Sequence, residues 1–74
     1  MMEKEITQLI GKFEKVMGPV ARTVANDAAK ELRILKDERI SPSSRKDYEL
    51  FTKLLMKRYG KIIGDRLAQN IMGV

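Results

Sequence analysis

The apolar positions of the chain recur three and four residues apart over most of its length, the spacing of one face of an α-helix. Ile6, Leu9, Ile10, Phe13, Val16 and Met17 draw such a stripe, with Glu3, Glu5, Lys12, Glu14 and Lys15 mainly on the other side, and predict a helix over about 3–17. Gly18-Pro19 interrupts it. Proline lacks an N–H and disfavours helical geometry at the residue before it, yet it sits well in the first turn of a helix. A tight corner is expected, with a second helix over about 19–36; a proline kink in one longer helix is the alternative. Val20, Val24, Ala25, Ala28, Ala29, Leu32 and Leu35 form the apolar face of that second helix, and its alanines let a neighbour approach closely. Residues 37–44 make the one clear connection. Ser41 before Pro42 is one good helix start and Ser44 with Asp47 three residues on is another, of capping-box type although Glu or Gln is the usual partner, and Ile40 is placed to fold back as a staple. Tyr48, Phe51, Leu54, Leu55 and Tyr59 mark the buried side of a third helix, and Ile62, Ile63, Leu67, Ile71 and Val74 continue at compatible spacing. Gly60 and Gly64 would each cost a continuous helix about 1 kcal/mol relative to alanine. A break or bend near Gly60 is therefore expected, giving helices over about 44–59 and 61–73, with one long rod as the alternative. Apolar and polar residues nowhere alternate for long, so no strand is predicted. The expected fold class is all-α: a compact bundle of three to four helices in one domain, residues 1–74.

Size changes the picture next. A chain of 74 residues buries only about 60% of its unfolded surface, and its core rarely supplies more than roughly 3–5 kcal/mol. Small domains usually add a disulfide, a metal or a partner subunit. This chain has no Cys and no His, which excludes disulfides and thiolate or imidazole zinc sites. No metal and no cofactor is expected, and a partner subunit becomes the favoured support, with a homodimer first among the possibilities. The same two absences remove Cys–His pairs, Ser–His–Asp triads and imidazole bases. The carboxylates are dispersed among Lys and Arg, so no enzyme is expected. The charged start is not followed by an apolar signal core, and no apolar run nears the roughly 20 residues of a membrane span. The expectation is a cytoplasmic protein with no membrane partner.

The net charge of +5 is uneven along the chain: residues 1–40 hold eight basic and seven acidic residues, and residues 41–74 hold seven and three. Lys46, Lys53, Lys57, Arg58, Lys61 and Arg66 form a candidate basic surface, with Lys53, Lys57 and Lys61 recurring every four residues. It suits an acidic protein or the phosphates of a nucleic acid, against the plain alternative of a solvated helix face. Tyr48, Phe51 and Tyr59 are committed to the core, which argues against a base-stacking platform. Gly60, Gly64 and Ala68 share one face of a continuous helix. With Ala25, Ala28 and Ala29 they form a candidate close-packing face, used either inside the bundle or across a dimer. An internal echo also stands out. Phe13-Glu14-Lys15-Val16-Met17-Gly18 and Tyr59-Gly60-Lys61-Ile62-Ile63-Gly64 both read aromatic-x-Lys-apolar-apolar-Gly.

The stretch Phe13 to Leu32, with its Val16-Met17-Gly18-Pro19-Val20-Ala21 corner, resembles the short helical interaction domains of prokaryotic signalling proteins. Those carry an apolar-Gly-Pro-apolar-Ala turn, a helix with small residues, a polar connection and a helix with an aromatic residue, which Ser44 to Leu55 supplies here. The resemblance covers about two thirds of the chain and implies a regulatory, protein-binding role; no site residue carries over from it. The expected function is a small non-catalytic protein–protein interaction module that self-associates and binds another protein. The alternative is a basic nucleic-acid-binding protein that uses its C-terminal half.

Overall fold

The computed structural model describes residues 2–73 and is helical almost throughout. Helix α1 spans Met2–Met17, α2 Val20–Glu31, α3 Arg45–Ile63 and α4 Asp65–Met72. The all-α bundle is the expected one. Its apolar faces meet in one core: Ile6, Ile10 and Phe13 of α1, the alanines of α2, Phe51, Leu55 and Tyr59 of α3, and Ala68 of α4. Two contacts fix the direction of the helices. Ser41, just ahead of α3, donates a 2.7 Å hydrogen bond to the Glu3 carboxylate at the start of α1. At the other end the rings of Phe13 and Tyr59 stack with centroids 4.0 Å apart. Helices α1 and α3 therefore run the same way, and α2 and α4 return.

The structure corrects the sequence reading in the middle of the chain. Helix α2 ends at Glu31, not near 36, and residues 35–40 form a small hairpin where no strand was expected. Strand β1 (Leu35–Lys36) pairs antiparallel with β2 (Arg39–Ile40). The physical reason is a run of left-handed residues that are not glycine. Arg33 has φ 60°, and its N–H bonds the Lys30 carbonyl while that of Ile34 bonds Ala29. This is the paired-bond pattern that closes helices with a left-handed residue, normally glycine. Asp37 and Glu38, at φ 49° and 65°, then make the two-residue turn, a geometry that favours Asn-Gly or Asp-Gly. Ile34 and Ile40 end up buried in the core. Since a left-handed conformation costs a side-chain-bearing residue about 1–2 kcal/mol, Arg33→Gly and Glu38→Gly should each raise stability by about 0.5–1 kcal/mol, net of the looser unfolded chain. Denaturant midpoints that fall in either variant would show that the turn is held some other way.

The C-terminal break also moves. Helix α3 passes through Gly60 and ends at Gly64, four residues later than expected. Ser44 caps α3 as expected, its Oγ accepting the Asp47 N–H at 3.2 Å. Val74, the last residue of the predicted apolar spacing, lies outside the described residues.

Candidate protein-interaction surface

The end of the bundle where both helical hairpins turn is built twice over from one short sequence. Phe13 and Tyr59 are each fully buried, five residues before a helix-ending glycine. Lys15 and Lys61 are exposed, and Met17 and Ile63 half-buried. Val16 and Ile62 are 51% and 52% exposed. Gly18 and Gly64 both have positive φ, 74° and 96°. Their N–H groups close the helices on the carbonyls of Glu14 and Gly60. Their own carbonyls accept from Ala21 and Ala68, both buried, at 3.1 Å in each case. The echo in the sequence thus has matching environments at its aromatic, lysine and two aliphatic positions, whereas Glu14 is half-buried where Gly60 is buried and Gly18 half-buried where Gly64 is exposed; the aromatic stack joins its two copies.

Tyr59 ties the second corner to the first. Its hydroxyl donates a 2.6 Å hydrogen bond to the Ala21 carbonyl at the start of α2. Burial, with the Glu14 carboxylate adding to it, raises the phenol far above its ordinary value of 10.0. Val16, Pro19, Val20 and Ile62, which flank the two corners, are all exposed.

Charge follows the same division. Residues 10–25 and 54–68 are the halves of the four helices nearer the corners. They carry seven basic residues, namely Lys12, Lys15, Arg22, Lys57, Arg58, Lys61 and Arg66, against only Glu14 and Asp65. The rest of the chain holds eight basic and eight acidic residues, so by this division the net charge of +5 falls on the corner half, with Glu31 of the other half meeting one of its cations, Arg58. Four of the five large exposed hydrophobics among the described residues, Val16, Val20, Ile62 and Leu67, lie there too; Leu50 is the fifth.

The predicted basic surface is only partly assembled. Lys57, Lys61 and Arg66 are exposed at or near the corners, and Lys53 continues the ridge along α3. Lys46 stands in the first turn of α3, about 22 Å from Lys61 at 1.5 Å per residue, and does not join them. Arg58 pairs at the surface with Glu31 of α2. Lys12, Lys15 and Arg22, absent from the sequence-based set, come in from the first hairpin. Arg22 also pairs with Glu14 at 3.2 Å.

Of the predicted close-packing face, Ala25, Ala28, Ala29 and Ala68 are wholly buried and Gly60 is buried, inside the bundle. A Cβ on Gly60 would press on the Asp65 carboxylate. Gly64 does not share that face. It is exposed and forms the joint between α3 and α4, because the helix breaks there and the four-residue spacing no longer applies.

Among the described residues no group of three acidic side chains is placed to hold a metal ion, and no helix is long and apolar enough to cross a membrane. Comparison with known protein families, curated proteins and solved structures returns no match.

Proposed function

We infer that the chain is a non-catalytic protein–protein interaction module, regulatory in role and cytoplasmic, working through its corner end. The observation that carries this is the coincidence of exposed aliphatic side chains with the net positive charge. Singly scattered exposed hydrophobics are ordinary, but here four of the five stand on the half of the bundle that also carries the net charge, and a protein interface needs both apolar and charged groups on one side. The lack of Cys and His argues in the same direction by narrowing the chemistry available for catalysis. Self-association belongs to this reading, because a core this small gains from a second subunit.

Two corner ends that meet bring like charges together, so the dimer should strengthen as salt screens them. Sedimentation across a concentration series at low and high salt measures this. A mass that climbs with concentration, more at high salt, is expected. A monomer throughout at both salts removes self-association, and a dimer that dissociates as salt rises places its interface elsewhere.

A second reading rests on Lys53, Lys57 and Lys61, which line the outer face of α3, exposed and without an ion pair among the described residues. Such a ridge suits the phosphates of a nucleic acid and predicts binding to duplex DNA that weakens steeply with salt and is lost when all three lysines become glutamate. The corner aliphatics favour the protein reading, since phosphates offer them nothing to pack against.

A further inference from the structure

We propose that the occupant of the corner end is an acidic segment of another protein, a helix or turn that presents two or three aliphatic side chains among carboxylates. This rests on the interaction-module reading and adds the chemistry of the partner. Lys15 and Lys61 stand at equivalent places in the two echoed segments, each beside an exposed aliphatic, Val16 or Ile62. Arg66 and Val20 extend the pattern onto α4 and α2. Arg22 and Arg58 are engaged by Glu14 and Glu31. Lys12, Lys15, Lys57, Lys61 and Arg66 make no ion pair among the described residues, and Asp65 is the one acidic residue of this half outside those pairs. A partner must supply the opposite charge and an apolar face at once.

The other occupants meet these terms less well. A second copy brings the same unpaired cations face to face. A nucleic acid answers the charge and leaves the aliphatics in water. An anionic membrane also answers the charge, but insertion needs side chains that reach about 5–10 Å into the headgroup boundary. Val16, Val20 and Ile62 are each about half covered by their own bundle. A surface of such low relief packs against another protein face. Carboxylates on the rim would set the rate and specificity of encounter, and the aliphatic contacts would hold the complex.

The test follows backbone amide shifts of the labelled protein during titration with a synthetic amphipathic helix, leucines on one face and glutamates elsewhere. The same peptide with lysine for glutamate, vesicles of phosphatidylcholine with about one third phosphatidylserine, and duplex DNA are titrated in parallel. The expected result is movement confined to residues 14–22 and 60–68, with the acidic peptide alone, and weaker at high salt. Val16→Ser/Ile62→Ser and Lys15→Glu/Lys61→Glu, each checked for unchanged helicity, should weaken binding about tenfold or more. Leu50→Ser on the far half should not. Equal binding of the lysine peptide, preference for vesicles or DNA, or movement centred on the hairpin overturns the proposal. If the corner amides move with protein concentration but not with the peptide, the acidic occupant falls and the interaction module stands. If they respond to neither, both fall.

Discussion

Tyr59→Ala is expected to leave the chain unfolded at room temperature. Truncating a buried aromatic residue costs roughly 3–5 kcal/mol, about the whole contribution expected from a core this small. Tyr59 holds more than its own volume of the core. Its ring stacks on Phe13, and its hydroxyl reaches Ala21, 38 residues away in sequence, so its loss separates the two hairpins. Tyr59→Phe keeps the stack and loses only the hydroxyl. The Ala21 carbonyl lies in the first turn of α2, where the helix ladder also uses it, so this variant should fold and lose about 0.5–1.5 kcal/mol. Circular dichroism during denaturation separates the two, and a folded, cooperative Tyr59→Ala would show that the hairpins dock without the stack.

The same hydroxyl predicts how stability changes in alkali. Burial first, then the Glu14 carboxylate, raises the Tyr59 phenol above 10.0, so the fold favours its neutral form. That contribution is whole below the unfolded value and is lost as pH rises above it, where the unfolded chain releases the proton and the folded chain does not. Between about pH 9 and 11 the wild type should lose stability faster than Tyr59→Phe. Parallel curves would mean that the phenol is as free to ionise in the fold as out of it.

The second large effect is expected at Gly64. Its backbone, φ 96° and ψ 144°, lies in territory that side-chain-bearing residues occupy at a cost of about 1–3 kcal/mol. Gly64→Ala should lower stability by that amount and loosen α4. Gly60→Ala offers the contrast. Gly60 lies within α3, where alanine gains about 1 kcal/mol of helix propensity, and the Asp65 carboxylate it would press on is free to swing away. Its net effect should stay within about 1 kcal/mol. Denaturation of the two single variants decides between them. A larger loss at Gly60 than at Gly64 would restore the continuous groove and contradict the joint seen here.

Much of this fold is legible in residue spacing. The stripes of α1 and α3 and the small face of α2 pack as their spacing requires except near the corners, where Val16, Val20, Ile62 and Leu67 of the predicted apolar faces stand exposed; the Gly18-Pro19 corner forms, and Ser44 caps α3. The end of α2 is hidden because Arg33, Asp37 and Glu38 take left-handed conformations with no glycine to announce them; the surrounding packing of Ile34 and Ile40 imposes those conformations. The joint at Gly64 is misplaced by four residues because a glycine inside a helix and a glycine that ends one look alike until the docking of Ala68 is known. The candidate surface is half legible. Counting charge along the chain separates Lys15 from Lys61, which the fold places at equivalent positions, and groups Lys46 with residues far from it. The echoed segments were the signal that could have found the site, since equal patterns ending in glycine imply equal corners.

The uneven placement of charge gives the molecule a permanent electric dipole along the bundle, positive at the corners. In the field of an acidic surface the free molecule turns before it touches, and the corner end arrives first. Association at low ionic strength is therefore oriented and fast. On the proposed reading, how long the encounter lasts would depend instead on Val16, Val20 and Ile62, since dissociation rates follow the apolar contacts made after arrival. Approach and residence would then fall to different side chains, and selection could tune one without disturbing the other.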